Sequence, residues 1–371
     1  MQHPVLHLIV AARPNFMKVA PLYHALEEAG GWEARLVHTG QHYDANMSDA
    51  FFRDLGLPEP DQHLGVGAGS HAEQTGRVMI AYEALCQKHR PDAVLVAGDV
   101  NSTVSCGLAA KKLGLPLVHL EAGLRSGDRT MPEELNRIVT DSLSDLHLTP
   151  SPDADAHLRH EGIPQGCIHR VGNIMIDAYR LMQPAIARAQ PTIEAALPER
   201  FAVVTMHRPG NVDDPVKLGI LIQQLHEIGA TLPLLLPLHP RTADRLERFG
   251  FRAQLEAVPN LFLTEPLGYV DFMSLVTRAH LVITDSGGLQ EETTYLGLPC
   301  LTLRPNTERG ITVTEGSNRL VPPEDLARVV REVVAQPPHC SPAPPDRWDG
   351  HTAERVVEVL DHFAKQGFPQ R

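Results

Sequence analysis

Cysteine is sparse in this sequence and shows no pairing pattern. Cys86, Cys106, Cys167, Cys300 and Cys340 lie far apart, odd in number, with no CxxC spacing among them. That argues against a disulfide framework and against a zinc site, and a reducing cytoplasm is the compartment that fits. Also missing is any run of Lys or Arg able to follow a phosphate backbone. The formal net charge of -12 is spread over alternating acidic and basic residues, so nucleic acid is set aside as a partner. The first apolar run, Val5–Val10, is too short to span a membrane and lacks the basic flank and cleavage site of a signal peptide; no membrane association is expected. No GxGxxG follows that run and no GxxxxGKS or GxxxxGKT occurs, which removes the usual dinucleotide and P-loop fingerprints. Solenoid repeats and low-complexity tracts are missing as well.

What the sequence does have is length and alternation. At 371 residues the chain exceeds the size at which one hydrophobic core keeps growing, so two domains are expected. Short runs rich in Val, Ile and Leu sit between segments of helical period, the pattern of parallel strands covered on both faces by helices. The fold class is α/β. Strands are expected at Val5–Ala11, Glu33–Val37, Ala93–Val96, Leu115–Leu120 and Leu146–Leu148. A second series restarts at Phe201–Thr205 and continues through Leu232–Leu238, Leu261–Leu263, Leu281–Ile283 and Pro299–Leu303. The restart implies two similar sheets, with a boundary near Gly172-Asn173 and the segment Pro191–Pro198 delaying the second series. A Pro-rich stretch, Pro337-Pro338 through Pro344-Pro345, precedes a last helix expected from about His351 to Phe363, free to pack away from the second domain.

In an open parallel sheet, ligands collect at the carboxyl ends of strands, and the residues after each apolar run are the candidates. After the first come Arg13 in the strand-to-helix turn and Lys18 one turn into a helix; both are able to reach an anion, and both also fit an ordinary solvated loop. Asp99 and Glu121 each put a carboxylate at a strand tip. Asp99 is open to a second reading, as the cap of a helix beginning near Ser102. Glu121 closes a fully apolar strand and should be partly desolvated, with a raised pKa suited to proton transfer. Glu133 and Glu134 follow Pro132 at a helix start, where acidic residues also serve the dipole. In the second half, His207 and Arg208 stand at another strand tip. Ser286, Gly287 and Gly288 then open a helix with exposed backbone N–H groups suited to a diphosphate. Glu291 and Glu292 lie a turn further on, in reach of ribose hydroxyls, and Arg304 and Arg309 add positive charge after a later strand. The first half offers carboxylates and the second a phosphate cradle, which together argue for an enzyme.

In chain order, Arg13-Pro14 with Lys18, Gln41-His42, Gly98-Asp99, His119-Leu-Glu121-Ala-Gly-Leu-Arg125, Pro132-Glu-Glu134 with Asn136-Arg137, Gly172-Asn173, His207-Arg208, Thr284-Asp-Ser-Gly-Gly-Leu-Gln-Glu-Glu292 and Thr307-Glu-Arg309 resemble the motifs of the non-hydrolysing UDP-N-acetylglucosamine 2-epimerases over nearly the whole chain. The resemblance implies two Rossmann-like domains in a glycosyltransferase-B-like arrangement, with the active site in the interdomain cleft. The implied extents are 1–173 with 353–371 packed back onto them, and 174–352 as the UDP-binding domain. It further implies a homodimer, no cofactor and no metal, and interconversion of UDP-GlcNAc and UDP-ManNAc for cell-surface polysaccharide. The route implied is elimination of UDP to 2-acetamidoglucal followed by re-addition. Carried over by motif, Asp99, Glu121 and Glu133 are the acid/base carboxylates, and His207 and Arg13 stabilise the departing diphosphate. Ser286, Gly287 and Gly288 hold phosphate oxygens, Glu292 the ribose, Phe272 the uracil face, and Arg309 and Lys18 further substrate oxygens. A second, regulatory UDP-GlcNAc is known in bacterial members, with Gln41, His42 and His239 as candidates here. The chain departs from the pattern at Ala11-Ala12, where Gly-Thr is common, at Leu267, where some members have Gln, and at Gly310-Ile311, where Pro-Glu is frequent.

Rival readings keep parts of this picture. A 2-epimerase acting on a UDP-2,3-diacetamido uronic acid would want an extra cation near the sugar, with Arg304 or Arg241 as the source. A hydrolysing epimerase would release free ManNAc and UDP. A UDP-sugar glycosyltransferase needs only one catalytic base and an acceptor groove, and a non-enzymatic sensor would have no use for Glu121 and Glu133.

Overall fold

A computed structural model describes residues 3–40, 55–191, 193, 197–336 and 343–369, and the Arg13 side chain falls outside what it describes. Gln41, His42, Cys340 and the start of the Pro-rich stretch also lie outside the described residues. The chain divides into two compact units, Met1–Met182 with Asp346–Arg371, and Gln183–Pro345. The division therefore falls inside the helix Ile174–Arg188, a few residues beyond Gly172-Asn173.

The first unit is built on a parallel sheet of β1 (Val5–Val10), β2 (Glu33–His38), β3 (Gln62–His63), β4 (Ala93–Ala97), β5 (Leu117–Leu120), β6 (Leu146–Thr149) and β7 (Ile168–Arg170). Their order across the sheet is β3-β2-β1-β4-β5-β6-β7. The chain begins in the middle, winds out to one edge, then returns to the other side of β1. β4 and β5 are buried at every position, and Val94 and Val96 pack with Val78, Tyr82 and Cys106 from the covering helices. This two-faced burial is why β4 reads as an unbroken apolar run and β5 as one interrupted only by His119.

The second unit repeats the plan with β8 (Ala202–Thr205), β9 (Leu234–Pro237), β10 (Leu261–Thr264), β11 (Leu281–Thr284), β12 (Cys300–Thr302) and β13 (Asn318–Leu320), in the order β10-β9-β8-β11-β12-β13. Its core joins Leu234, Leu236, Leu281 and Ile283 to Leu221 and Leu225 of the helix Pro215–Gly229. Both sheets reverse direction next to their first strand, between β1 and β4 and between β8 and β11. Loops diverge at such switch points and leave a crevice at the strand tips.

The last helix, Thr352–Gln366, belongs to the first unit and packs on the helix Arg13–Ala29. Trp32 Nε1 donates to Asp361 at 3.0 Å, Trp348 Nε1 to the Pro150 carbonyl at 3.0 Å, and the Ala353 amide to the Asp177 carboxylate at 2.8 Å. Gly172 permits this closure: its φ is 104°, and a Cβ there would lie 2.2 Å from the Arg347 carbonyl oxygen.

Candidate functional site

In the first unit the helix Arg13–Ala29 starts directly after β1, and its first turns place Lys18 beneath the tips of β4 and β5. Lys18 is buried and forms an ion pair with the buried carboxylate of Glu121. The burial expected for Glu121 is present, and so is a cationic partner that the local sequence did not announce. Glu121 has φ 73°, the left-handed region, in a residue with a full side chain; such strain persists where the surroundings over-determine it, and it clusters at working sites. Opposite stands Gly98 at φ 68°, where a Cβ would lie 2.7 Å from Lys18 Nζ and 3.4 Å from Glu121 Oε2. Glycine is thus required twice over, for the turn and for the room it leaves the ion pair.

Asp99 does not cap the helix Asn101–Lys112. The cap position is Val100, with no side-chain hydrogen bond, and Asp99 pairs instead with Arg137. Arg137 also holds Glu134 at 2.7 Å, and Asn136 donates to the Asp99 carbonyl at 2.9 Å. Glu134 accepts the amides of Ser126 and Gly127 at 3.0 and 2.9 Å. Burial works against its ionisation, but these amides and Arg137 outweigh it and hold the carboxyl below its ordinary range. Glu133, one residue earlier on the helix Pro132–Leu143, is exposed. Adjacent glutamates on a helix point about 100° apart, so one braces the loop and the other faces outward.

In the second unit Asp285 organises the switch point. It is fully buried, and its oxygens accept the amides of His207 (3.0 and 3.1 Å) and Arg208 (2.9 Å) and the Asn211 side chain (3.1 Å). His207 Nδ1 lies 3.0 Å from Asp285 Oδ1. Burial pushes the Asp285 carboxyl up, but His207 and the amide donors win and its pKa is lowered. The His207 ring lies 5.1 Å from that of His239, whose Nδ1 accepts the Arg241 amide at 3.1 Å. Burial and then His207 make His239 harder to protonate.

Ser286 precedes the helix Gly287–Leu296 without making a side-chain cap, and its own amide is taken up by Thr284 Oγ1 at 2.9 Å. A Cβ on Gly288 would meet nothing within 4 Å, whereas on Gly287 it would meet Glu308 Oε1 at 2.8 Å and an Arg309 nitrogen at 2.9 Å. Gly288 therefore leaves the positive helix end open to an anion, and Gly287 makes room for a charged layer behind it. In that layer Arg309 pairs with Glu291 at 2.8 Å and with Glu308, and Arg304 pairs with Glu308 at 2.7 Å. Burial and then Arg304 weaken the hold of Arg208 on its proton. Glu292 accepts the Tyr269 hydroxyl at 2.6 Å, and Phe272 is half-buried on the helix Tyr269–Val276.

The structure thus brings Lys18 to Glu121 and Asp99 to Arg137 in the first unit. In the second it brings His207 to Asp285, and Gly287 to Glu308 and Arg309. Glu133 is not drawn into either network. Arg137 and Asp285 escaped the reading of single motifs, although each stood inside a quoted one. Asp285 follows an apolar strand directly, the same signal that singled out Glu121.

Two Rossmann-like units, one with carboxylates at its strand tips and the other with an open helix end backed by arginines, define a nucleotide-sugar enzyme of the glycosyltransferase-B-like class. Residues 24–361 match the family described as UDP-N-acetylglucosamine 2-epimerase. The chain belongs to that family, whose members are isomerases. The UDP-N-acetylglucosamine 2-epimerase of Methanocaldococcus jannaschii is 38% identical over 96% of this chain and 99% of its own. The UDP-2,3-diacetamido-2,3-dideoxy-D-glucuronate 2-epimerase of Pseudomonas aeruginosa is 42% identical over 84% of this chain and 87% of its own. The crystal structure of the M. jannaschii enzyme in complex with UDP-GlcNAc and UDP superposes with a TM-score of 0.86 at 36% identity, covering 96% and 99% of the two chains. Among the described residues no helix is long and apolar enough to cross a membrane.

Proposed function

We propose that this protein reversibly epimerises UDP-GlcNAc to UDP-ManNAc at C2. A carboxylate removes the C2 proton, the C1–O bond breaks with its electron pair leaving on UDP, and a C1–C2 double bond forms. UDP then adds back at C1 while a proton is delivered to the other face of C2. The observation that carries this reading is the Lys18–Glu121 pair, a carboxylate held in a strained, buried position beside a cation. Asp99, Glu121 and Glu133 are the candidate proton carriers, and His207 and Arg13 the groups that stabilise the departing diphosphate. Ser286, Gly287 and Gly288 with Lys18 and Arg309 bind substrate oxygens, Phe272 the base and Glu292 the ribose. No redox cofactor or metal enters this route. A homodimer in the cytoplasm and a regulatory second UDP-GlcNAc complete the proposal.

A second substrate is favoured by one specific observation, the 42% identity to a relative that acts on a diacetamido uronate. Of the two cations considered for that extra carboxylate, Arg241 is engaged by Asp213 at 2.6 Å and Arg304 by Glu308 at 2.7 Å. Lys18 and Arg309 have carboxylate partners as well, so these pairings do not separate the two sugars, and UDP-GlcNAc is the first substrate to test. Proton NMR in D2O with UDP-GlcNAc decides: UDP-ManNAc carrying deuterium at C2 is expected, and an inert spectrum that turns active on the diacetamido uronate would transfer the assignment to that sugar. Free ManNAc with UDP would mean a hydrolysing enzyme.

A further inference from the structure

The first unit holds a buried ionic group that the proposed chemistry does not use. Asp141, near the end of the helix Pro132–Leu143, is fully buried. One carboxylate oxygen lies 2.6 Å from His119 Nδ1, and the other accepts the Gly123 amide at 3.1 Å and pairs with Arg125 at 2.7 Å. The far side of the His119 ring, Nε2, reaches the Gly98 carbonyl at 2.9 Å. His119 is itself fully buried, so no water competes for these contacts. The two loops so joined are Gly98-Asp99 and Glu121-Ala122-Gly123, and each carries one of the strand-tip carboxylates. Glu121, at φ 73°, holds a backbone conformation that needs support, while Gly98 makes its own turn at φ 68° without strain. The same helix braces the Gly98-Asp99 loop from Arg137, one turn earlier, through Asp99.

We propose that Asp141 is a positioning residue: through His119 and Gly123 it fixes the distance between the Asp99 and Glu121 loops, so that both carboxylates meet one sugar ring in register. This rests on the epimerase reading for the role of Asp99 and Glu121, while the link between the loops does not. Asp141 accepts from three donors, and the single side-chain oxygen of asparagine cannot replace both carboxylate oxygens. Burial would raise the Asp141 pKa, yet His119 and Arg125 hold it down to about 2, which keeps the carboxylate charged at every working pH.

The test is Asp141→Asn in the full chain, with His119→Gln as a second variant should the first fail to fold. Turnover, KM, UDP affinity by calorimetry and backbone amide shifts are measured together. A misplacement of order 1 Å costs about 100-fold in rate. The expected result is therefore a loss of that size in kcat with KM and UDP affinity within about twofold, and amide shifts at Gly98, Glu121 and Gly123 without change at Gly288. A folded variant with kcat within about twofold of the parent overturns the proposal, as does a loss of UDP affinity in step with kcat, which marks a purely structural role. A parent protein inert toward UDP-sugars would sink the epimerase reading alone, since the amide shifts report the link between the loops without turnover.

Discussion

Glu121 combines a buried carboxylate, an ammonium partner and a left-handed backbone. A non-glycine residue so placed costs of order 1–3 kcal/mol, which the surrounding structure must offset. Glu121→Gln keeps the shape and removes the charge. On the proposed mechanism kcat falls by about 100-fold or more, with UDP affinity unchanged; a kinetic comparison with calorimetry checks both. Gly98→Ala is expected to be worse than its size suggests, because the new methyl lands on Lys18 Nζ as well as straining φ. A destabilisation of about 1–2 kcal/mol in urea, together with a fall in kcat, is the outcome to look for. The residues of this half were legible as carboxylates at strand tips. Their partners were not, because Lys18, Arg137 and Asp141 reach Glu121, Asp99 and His119 across sequence separations that no local pattern encodes. Glu133 and Glu134 illustrate the same limit, since only the packed helix decides which of two neighbours is buried.

At the scale of elements, the central strands were legible because most of their positions are buried, so they spell apolar runs with few interruptions, such as His119 and His147. The edge strands β3, β7 and β13 were not. Gln62–His63, Ile168–Arg170 and Asn318–Leu320 are short and mostly polar, and they pair because the neighbouring strand offers a ladder, whereas the fourth edge, β10, spells Leu-Phe-Leu-Thr and was legible. The docking of the last helix carries its own prediction. Asp177 receives the Ala353 amide at the start of Thr352–Gln366, and burial raises its pKa to about 6 despite those donors. The folded protein therefore binds this proton more tightly than the unfolded chain. Stability from the protonated form is complete below the unfolded value near 3.8 and is lost as pH rises through about 6. Asp177→Asn mimics the protonated form. Its unfolding free energy in urea should match the parent's near pH 4 and exceed it by pH 8, with a gap of order 3 kcal/mol at most; a parallel pair of pH curves would refute the assignment.

For the whole molecule, the charge of -12 is unfavourable for drawing in an anionic nucleotide sugar, and behind Gly287 the charges of Arg304 and Arg309 are matched by Glu291 and Glu308. On the proposed binding mode the short-range attraction therefore falls to the open helix end at Gly288. UDP alone, at about 100 times its dissociation constant, should stabilise the protein by about 2.7 kcal/mol, and the gain should shrink as salt is added. Dialysis against EDTA should leave turnover of UDP-GlcNAc within about twofold, because the proposed elimination relies on carboxylates and the diphosphate clamp. A loss that only added divalent cation restores would require a different mechanism.

The placement of residues 346–371 in the first unit has a consequence for synthesis on the ribosome. The second unit is one continuous stretch and emerges entire while the first still lacks its closing helix. During that interval the seat of Trp348 and the face of Arg13–Ala29 that meets Thr352–Gln366 are uncovered. The first unit is thus completed only after the second has emerged, so the loops that carry Asp99 and the strained Glu121 gain their full support late.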